Sequence, residues 1–262
     1  MYFSNMNISL QSPVPEVLRL LGDQQRWRLL QELALSDLTV GELAERLGKP
    51  QNLVSYHLAE LRKSGLVSSR RSSADARDTY CRFEIARCAE QLRAAGNTLS
   101  RALHVEASRE PPTPSRRRRP TVLFLCTGNS ARSQMAEALL EHRSGGVVRA
   151  RSAGSDPKAL HPNAVGVMKE RGIDIAGRKT KHLDRFAGSR FDRVITLCDK
   201  VREVCPEFPG APRTAHWSMP DPSVEPDSYP AFVRLADELE NRIDVLLAEL
   251  SVTAAKEVSN GS

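Results

Sequence analysis

The sequence predicts two domains: a mostly α, winged helix-turn-helix unit, followed by an α/β unit built on a central parallel sheet. Three observations carry this. Residues 39–63 hold two short amphipathic helices separated by Gly48-Lys49-Pro50. The polar stretch Ser72–Asp78 lies between two β-rich runs, as in a hairpin. From Thr121 onward, short apolar runs alternate with helical periodicities, the pattern of parallel strands joined by crossover helices. A chain of 262 residues accommodates two ordinary domains. The expected division is a disordered N-terminus over 1–11, a helix-turn-helix domain over 12–107, a Pro/Arg-rich linker over 108–120, the α/β domain over 121–251 and a polar tail over 252–262.

Composition narrows the function class. No apolar run approaches the length of a membrane span, and the N-terminus lacks a basic region followed by an apolar one. The expected location is the cytoplasm, with no membrane partner. Five cysteines, an odd number, argue against a secreted disulfide framework and for thiols with separate chemistry. The net charge of +6 is uneven: +2 over 12–107, +4 over 108–120 and zero over 121–262. Attraction to a polyanion therefore belongs to the first domain and the linker.

In chain order, Val17, Leu20, Leu21, Trp27, Leu30 and Leu33 mark two apolar helical faces interrupted near Gly22-Asp23. Thr39-Val-Gly-Glu42 is a capping box, in which hydroxyl and carboxylate each satisfy a backbone N–H. The helix it opens carries Leu43, Ala44 and Leu47 and ends at Gly48. Lys49-Pro50 then turns the chain into a second helix, Gln51 to Lys63, closed by Gly65. Val54, Leu58 and Leu61 share one face of that helix, while Asn52, Tyr56 and Lys63 lie opposite, with Gln51 and Ser55 on a flank. The apolar face anchors. The polar face suits a major groove, where amides and hydroxyls read base edges and lysine meets phosphate.

Leu66 to Arg71 and Thr79 to Ile85 form the wing. Between Lys49 and Arg82, seven basic residues stand against three acidic ones. Candidate DNA contacts are Gln51, Asn52, Ser55, Tyr56, His57, Lys63, Arg70, Arg71 and Arg77. A last helix, Ala86 to Val105, carries Leu92, Ala95, Leu99 and Leu103, a stripe that needs a partner surface. The alternative for this half is a helical protein-interaction module with a solvated basic face.

Asn52-Leu-Val-Ser-Tyr-His-Leu-Ala-Glu-Leu61, followed by Arg62-Lys-Ser-Gly-Leu-Val67, resembles the recognition segment of the ArsR/SmtB winged-helix repressors. The resemblance spans about Pro15 to Val105. It implies a homodimer formed by the first and last helices and bound to palindromic operator DNA. Arsenic-sensing members usually carry paired cysteines at the start of the first helix of the motif, where this chain reads Ser36-Asp37-Leu38-Thr39. Cys81 and Cys88 are the thiols of this half. They suit arsenite or a soft metal as thiolates, or the core as small hydrophobes.

Four prolines and a four-arginine run make Ser108–Pro120 a semi-extended, solvated linker, so the halves are expected to move independently. Thr121 to Leu125 then reads as a strand that breaks into Cys126-Thr-Gly-Asn-Ser-Ala-Arg132-Ser133, and Ala131 to Glu141 follows with helical spacing. Val147 to Ala153 is a second strand, Asn163 to Arg171 a helix and Arg193 to Cys198 a third strand. Pro230 to Leu250 closes the domain as an amphipathic helix with Phe232, Leu235, Leu239, Ile243 and Leu246 on its apolar stripe. Ligands of such sheets bind at the carboxyl ends of strands, where Cys126 and Cys198 both fall.

A strand, loop and helix of this kind aim backbone N–H groups into one concavity at a helix N-terminus, which suits an oxyanion. The candidate loop is Thr127, Gly128, Asn129, Ser130, Ala131 and Ser133, around Cys126 and Arg132. Its field and the Arg132 guanidinium are expected to lower the Cys126 pKa, with Ser133 donating to the sulfur. Arg132 is spaced to fork two oxygens of a tetrahedral anion. The motif resembles the phosphate-binding loop of low-molecular-weight protein tyrosine phosphatases and of the arsenate reductases built on that fold, over about Thr121 to Leu250. By that resemblance Asp221, in His216-Trp-Ser-Met-Pro-Asp221-Pro222, matches the general acid.

Two chemistries remain open at this point. Ester hydrolysis needs Cys126, Arg132 and Asp221. Arsenate reduction needs further thiols, and Cys198 and Cys205 resemble the resolving pair of thioredoxin-coupled arsenate reductases. The charged segment between them is expected to be mobile, with thioredoxin or a small thiol such as mycothiol as electron donor. Family phosphatases usually place a second cysteine in the loop and aromatic residues after the Asp-Pro. Here Ala131 precedes Arg132, and Ser223 and Val224 follow the Asp-Pro, which favours reduction. Asn129, Glu137 and Ser152 match positions that hold potassium in some members, and no tightly bound cofactor is expected. The favoured reading is an ArsR-type regulator fused to a thiol-dependent arsenate reductase. The alternatives are a phosphatase fused to a DNA-binding domain, and a transcription factor whose second half only senses oxyanion or redox state.

Overall fold

Two separate hydrophobic cores organise the computed structural model, which describes residues 13–99, 119–210 and 212–259. The first core is built by α1 (Glu16–Leu21), α2 (Gln24–Leu35), α3 (Val40–Leu47), α4 (Gln51–Lys63), the hairpin β1 (Val67–Arg71) and β2 (Thr79–Phe83), and α5 (Ile85–Leu99). Local chemistry sets their ends. Asp23 caps α2 by accepting from the N–H groups of Gln25 and Arg26 at 2.9 Å. The Thr39 and Glu42 capping box opens α3, and Gly48 closes it at φ +60°, a conformation costly to any residue with a Cβ. Val54, Leu58 and Leu61 of α4 are buried against this core. Trp27 departs from expectation: it is 50% exposed and lies off the apolar face of α2. The expected disorder of 1–11, the linker over 108–118 and the continuation of the last helix to Val105 lie outside the described residues.

The second domain comprises β3 (Thr121–Cys126), α6 (Arg132–Arg143), β4 (Arg149–Gly154), α7 (Pro162–Glu170), β5 (Arg193–Thr196), α8 (Asp199–Glu203), β6 (Arg213–His216) and α9 (Ser228–Ser259). Its four strands are parallel in the order β4-β3-β5-β6. Val122 to Leu125 of β3 are all fully buried, as a central strand covered on both faces requires. Because β4 and β5 flank β3 on opposite sides, the crevice between the ends of β3 and β5 is the topological switch point. β6 escapes sequence reading because it has four residues, flanked by Pro206, Pro209 and Pro212. The expected polar tail begins as helix, since α9 continues to Ser259.

The halves do not behave as independent bodies joined by a linker. The α2–α3 turn docks on the end of β6 and the residues after it: the Asp37 N–H donates to the His216 carbonyl at 2.7 Å, and the His216 N–H donates to Ser36 Oγ at 2.9 Å. Asp37 is almost fully buried and accepts from Arg242 at 2.8 Å and from the Ser218 N–H at 2.8 Å. From the wing, Arg82 donates to the Ser218 carbonyl at 2.6 Å and pairs with Glu238 at 3.4 Å. The Tyr80 ring lies 4.8 Å from His216. Composition explains the misreading. The contacts come from isolated polar residues that no periodicity marks, and their partners lie between 136 and 205 residues away.

Buried charges cost several kcal/mol each unless paired, and Asp37→Ala removes one of the two carboxylates that pair with the buried Arg242, leaving Glu238 alone against it. The substitution should lower the unfolding free energy of the docked chain by about 3–5 kcal/mol, measured by urea denaturation. An unchanged midpoint would show that the docked pair contributes nothing.

Candidate active site

Cys126 ends β3 at the switch-point crevice, and α6 begins six residues later at Arg132. The loop between them is shaped by Asn129, the one non-glycine residue with positive φ (+45°) among those described. Its amide orientation follows from its partners. The Lys181 N–H can only donate, and it does so to Asn129 Oδ1 at 2.8 Å, where Gln134 Nε2 also donates at 3.1 Å. Asn129 Nδ2 therefore donates to Ser133 Oγ at 2.8 Å and to Ser152 Oγ at 2.9 Å. Ser133 Oγ, which accepts from Asn129, lies 3.0 Å from Cys126 Sγ, in place to donate its hydroxyl hydrogen to a thiolate there. Gly154, at the end of β4, is sterically required. A Cβ there would lie 2.4 Å from the Thr127 carbonyl oxygen and 2.8 Å from the Asn129 nitrogen.

Arg132 is buried, and its guanidinium donates to the Met219 carbonyl at 3.0 Å and to Asp221 Oδ2 at 2.8 Å. This spends much of the positive field expected at the sulfur. Burial pushes the Cys126 thiol up, while Arg132 and the Ser133 hydroxyl pull the other way without prevailing. This direction runs opposite to the lowering expected from the sequence. Asp221 shows the reciprocal effect. Burial raises its carboxyl, but Arg132 and the Ser223 hydroxyl at 2.7 Å hold it below the usual carboxylate range.

Cys198 lies two residues beyond β5, buried, with Sγ 3.2 Å from Thr127 Oγ1. The fold thereby brings Cys198 to the loop that carries Cys126. Cys205 is half-buried at the far end of α8, in a cleft of about 600 Å³ that Ser36, Arg46, Arg202 and Phe208 also line. The segment between the two cysteines opens with the short helix α8. Asp199 and Val201 anchor it with almost no exposure. Thr127, Gly128, Ser130 and Ala131 complete the loop as its backbone.

The potassium set does not fit a cation. Asn129 and Ser152 do meet, and Ser152 donates to Glu137, but Lys181 Nζ already lies 3.0 Å from Glu137 Oε2 and Arg178 lies 3.4 Å from Oε1. An ammonium and a guanidinium neutralise the carboxylate a metal would need. Cys81 and Cys88 are both buried in the first core, with Arg62 donating to Cys81 Sγ at 3.2 Å. Among the described residues, no three His, Cys, Asp or Glu side chains gather as a metal site.

On the candidate DNA face, Gln51, Asn52, Ser55, Tyr56 and Lys63 are exposed along α4, with Tyr56 60% accessible. His57 is corrected: it faces inward, 7% exposed and 3.9 Å from Asp23. Arg71 is exposed, and Arg77 pairs with Asp75, holding that carboxyl down to about 2. Arg70 is also corrected, because its half-buried guanidinium is engaged by Asp199 and Ser218. Sequence reading missed Lys181, Gln134, Asp199 and Ser218, whose partners are set only by tertiary structure.

Comparison with known proteins assigns both halves. Residues 121–256 match the family model of low molecular weight phosphotyrosine protein phosphatase, and residues 23–69 match that of bacterial regulatory protein, arsR family. An arsenate reductase of Brevibacillus brevis is 41% identical over 123 residues, 47% of this chain and 90% of its own. An arsenate reductase of Bacillus subtilis is 39% identical over 126 residues, 47% of this chain and 91% of its own. A solved arsenate reductase in an oxidised state aligns over 49% of this chain and 97% of that one, at 30% identity and a TM-score of 0.45. No helix among the described residues is long and apolar enough to cross a membrane. Residues 23–69 on the N-terminal side match the arsR-family model, and the chain belongs to the low molecular weight phosphotyrosine protein phosphatase family.

Proposed function

We propose that this chain reduces arsenate to arsenite with its own thiols and binds operator DNA through its first domain. The observation that carries the enzymatic reading is Cys198 at the nucleophile loop, hydrogen-bonded to the residue after Cys126, with Cys205 beyond α8 in an open cleft. A phosphatase has no use for that series of sulfurs. The names of the Brevibacillus and Bacillus relatives agree with it.

In the proposed cycle, arsenate enters the loop as a tetrahedral anion held by backbone N–H groups and the N-terminus of α6. Cys126 is a thiol at rest, and its proton passes to an oxygen of the anion as the sulfur attacks. The Ser133 hydroxyl stabilises the developing thiolate. Asp221 supplies a proton to the departing oxygen, which leaves as water while an S–As bond forms. Arg132 links these events. As its guanidinium turns from Asp221 to the anion, the carboxyl loses the charge that depresses it and gains the proton affinity of an acid. Cys198 thiolate then attacks Cys126 Sγ. The S–As bond breaks with its electron pair going to arsenic, arsenite leaves, and a Cys126–Cys198 disulfide remains. Cys205 attacks Cys198, freeing Cys126, and thioredoxin or a small thiol such as mycothiol reduces the Cys198–Cys205 disulfide through the cleft.

The DNA-binding reading rests on the exposed polar face of α4 and the matching family model. Homodimerisation through α1 and α5 is supported by Val14 and Leu18, apolar residues exposed 58% and 37% beside those helices. A cytoplasmic location accords with working thiols.

Three outcomes test the enzymatic reading. Cys198→Ser should abolish multiple-turnover arsenate reduction with either class of donor while sparing slow hydrolysis of an aryl phosphate; persistent reduction would refute the relay. Asp221→Asn should lower kcat for that hydrolysis by about 10²–10⁴-fold. Ser133→Ala removes a hydrogen bond that favours the thiolate, so the Cys126 pKa rises further. Alkylation of Cys126 at neutral pH, followed by mass spectrometry, should slow about tenfold.

A further inference from the structure

The segment that joins the two resolving cysteines also clasps the DNA-binding domain. Asp199, directly after Cys198, is 1% exposed. Its carboxylate accepts from Arg70 at 2.7 and 2.9 Å, from the Ser73 N–H at 2.6 Å and from the Ser73 hydroxyl at 2.9 Å, all on the wing. Ser218 at 2.7 Å and His216 at 3.1 Å complete its shell from its own domain. One turn along α8, Arg202 pairs with Glu42 of the α3 capping box and lies over the Tyr80 ring of the wing at 5.2 Å. Both ends of α8 thus hold the helix-turn-helix domain.

A disulfide cannot form across this helix as it stands. α8 occupies Asp199–Glu203 between the two cysteines, with Cys198 Sγ held on Thr127 Oγ1 at 3.2 Å and Cys205 in the cleft beside Ser36 and Phe208, whereas a disulfide brings its two Cα atoms within about 6.8 Å and its sulfurs into contact. Five helical residues have little stability of their own, so α8 persists through its tertiary contacts. Closing Cys198 onto Cys205 must unwind it, which withdraws Asp199 and Arg202 from their partners.

We propose that α8 is a redox-operated clasp: the Cys198–Cys205 disulfide unwinds it, releases the wing and frees Arg70 for DNA phosphate. The proposal rests on the thiol relay above for its physiological oxidant, arsenate, which accepts the two electrons as the thiols lose two protons. Linkage makes the effect reciprocal: DNA that recruits Arg70 from Asp199 favours opening of α8.

The test needs no arsenate, so it separates the clasp from the reductase reading. The full chain carrying Cys126→Ser is oxidised with diamide, which takes two electrons and two protons and leaves the Cys198–Cys205 disulfide, verified by peptide mapping. Hydrogen exchange at the Ser73 amide should accelerate at least about tenfold on oxidation, since its acceptor has left. Affinity for a short fluorescent duplex of arbitrary sequence should rise about tenfold. The salt dependence of that binding should steepen by about 0.9 for each arginine gained. Adding Cys205→Ser should remove all three changes. Adding Arg70→Ala should remove the gain in affinity but keep the faster exchange. A verified disulfide with unchanged exchange and affinity would overturn the clasp alone. Failure of the disulfide to form would overturn the clasp and the relay together.

Discussion

A buried carboxylate is tolerated only when its oxygens are fully satisfied, and at Asp199 the donors come from both domains. Burial would raise this carboxyl. His216, the Ser73 amide, Ser218 and Arg70 together hold it well below the usual carboxylate range, so it stays ionised at neutral pH. The rest follows from that requirement. The wing must approach α8 for Arg70 and Ser73 to reach the carboxylate, and the end of β6 with the residues after it must pass close by to present His216 and Ser218. The same segment runs on to Met219 and Asp221, which hold Arg132. A single buried anion therefore ties the wing, the resolving cysteines and the oxyanion-loop arginine into one contiguous network.

Within the loop, order is bought by over-determination. Asn129 makes four hydrogen bonds, to Ser133, Ser152, Gln134 and the Lys181 N–H, and these offset the cost of its left-handed backbone. Ser133 is thereby oriented toward Cys126. Arg132 is positioned just as firmly but committed to Asp221, so neither the thiol nor the carboxyl has its working pKa at rest. An anion in the loop competes for Arg132 and moves the carboxyl toward an acid.

The first domain shows how one sequence position can be put to another use. Arsenic-sensing members of the ArsR/SmtB family usually carry thiols at the start of the first helix of the motif, whereas this chain has Ser36 and Asp37 there, and both are buried against the second domain. The polar pair docks where a soft-metal site would otherwise lie. Information from arsenic chemistry then has a covalent route into the regulator, through the oxidation state of thiols one residue from the docking contact, in place of a dissolved ligand.

The sequence by itself determined whatever is local. The capping box at Thr39 and Glu42, the stop at Gly48, the anchoring face of α4, the wing hairpin and the strand-loop-helix around Cys126 each depend on residues within a turn or two of one another, so spacing alone reveals them. Glycine at 154 was visible as a strand end, but its need for close backbone approach was not. Only tertiary structure decided which face His57 turns to, that Lys181 takes the place a cation would need at Glu137, that Arg70 serves Asp199, and that the halves are docked. The physical reason is common to all four. Desolvation and charge pairing depend on what lies across space, and partners such as Arg70 and Asp199 are separated by more than a hundred residues of chain with no periodicity to link them.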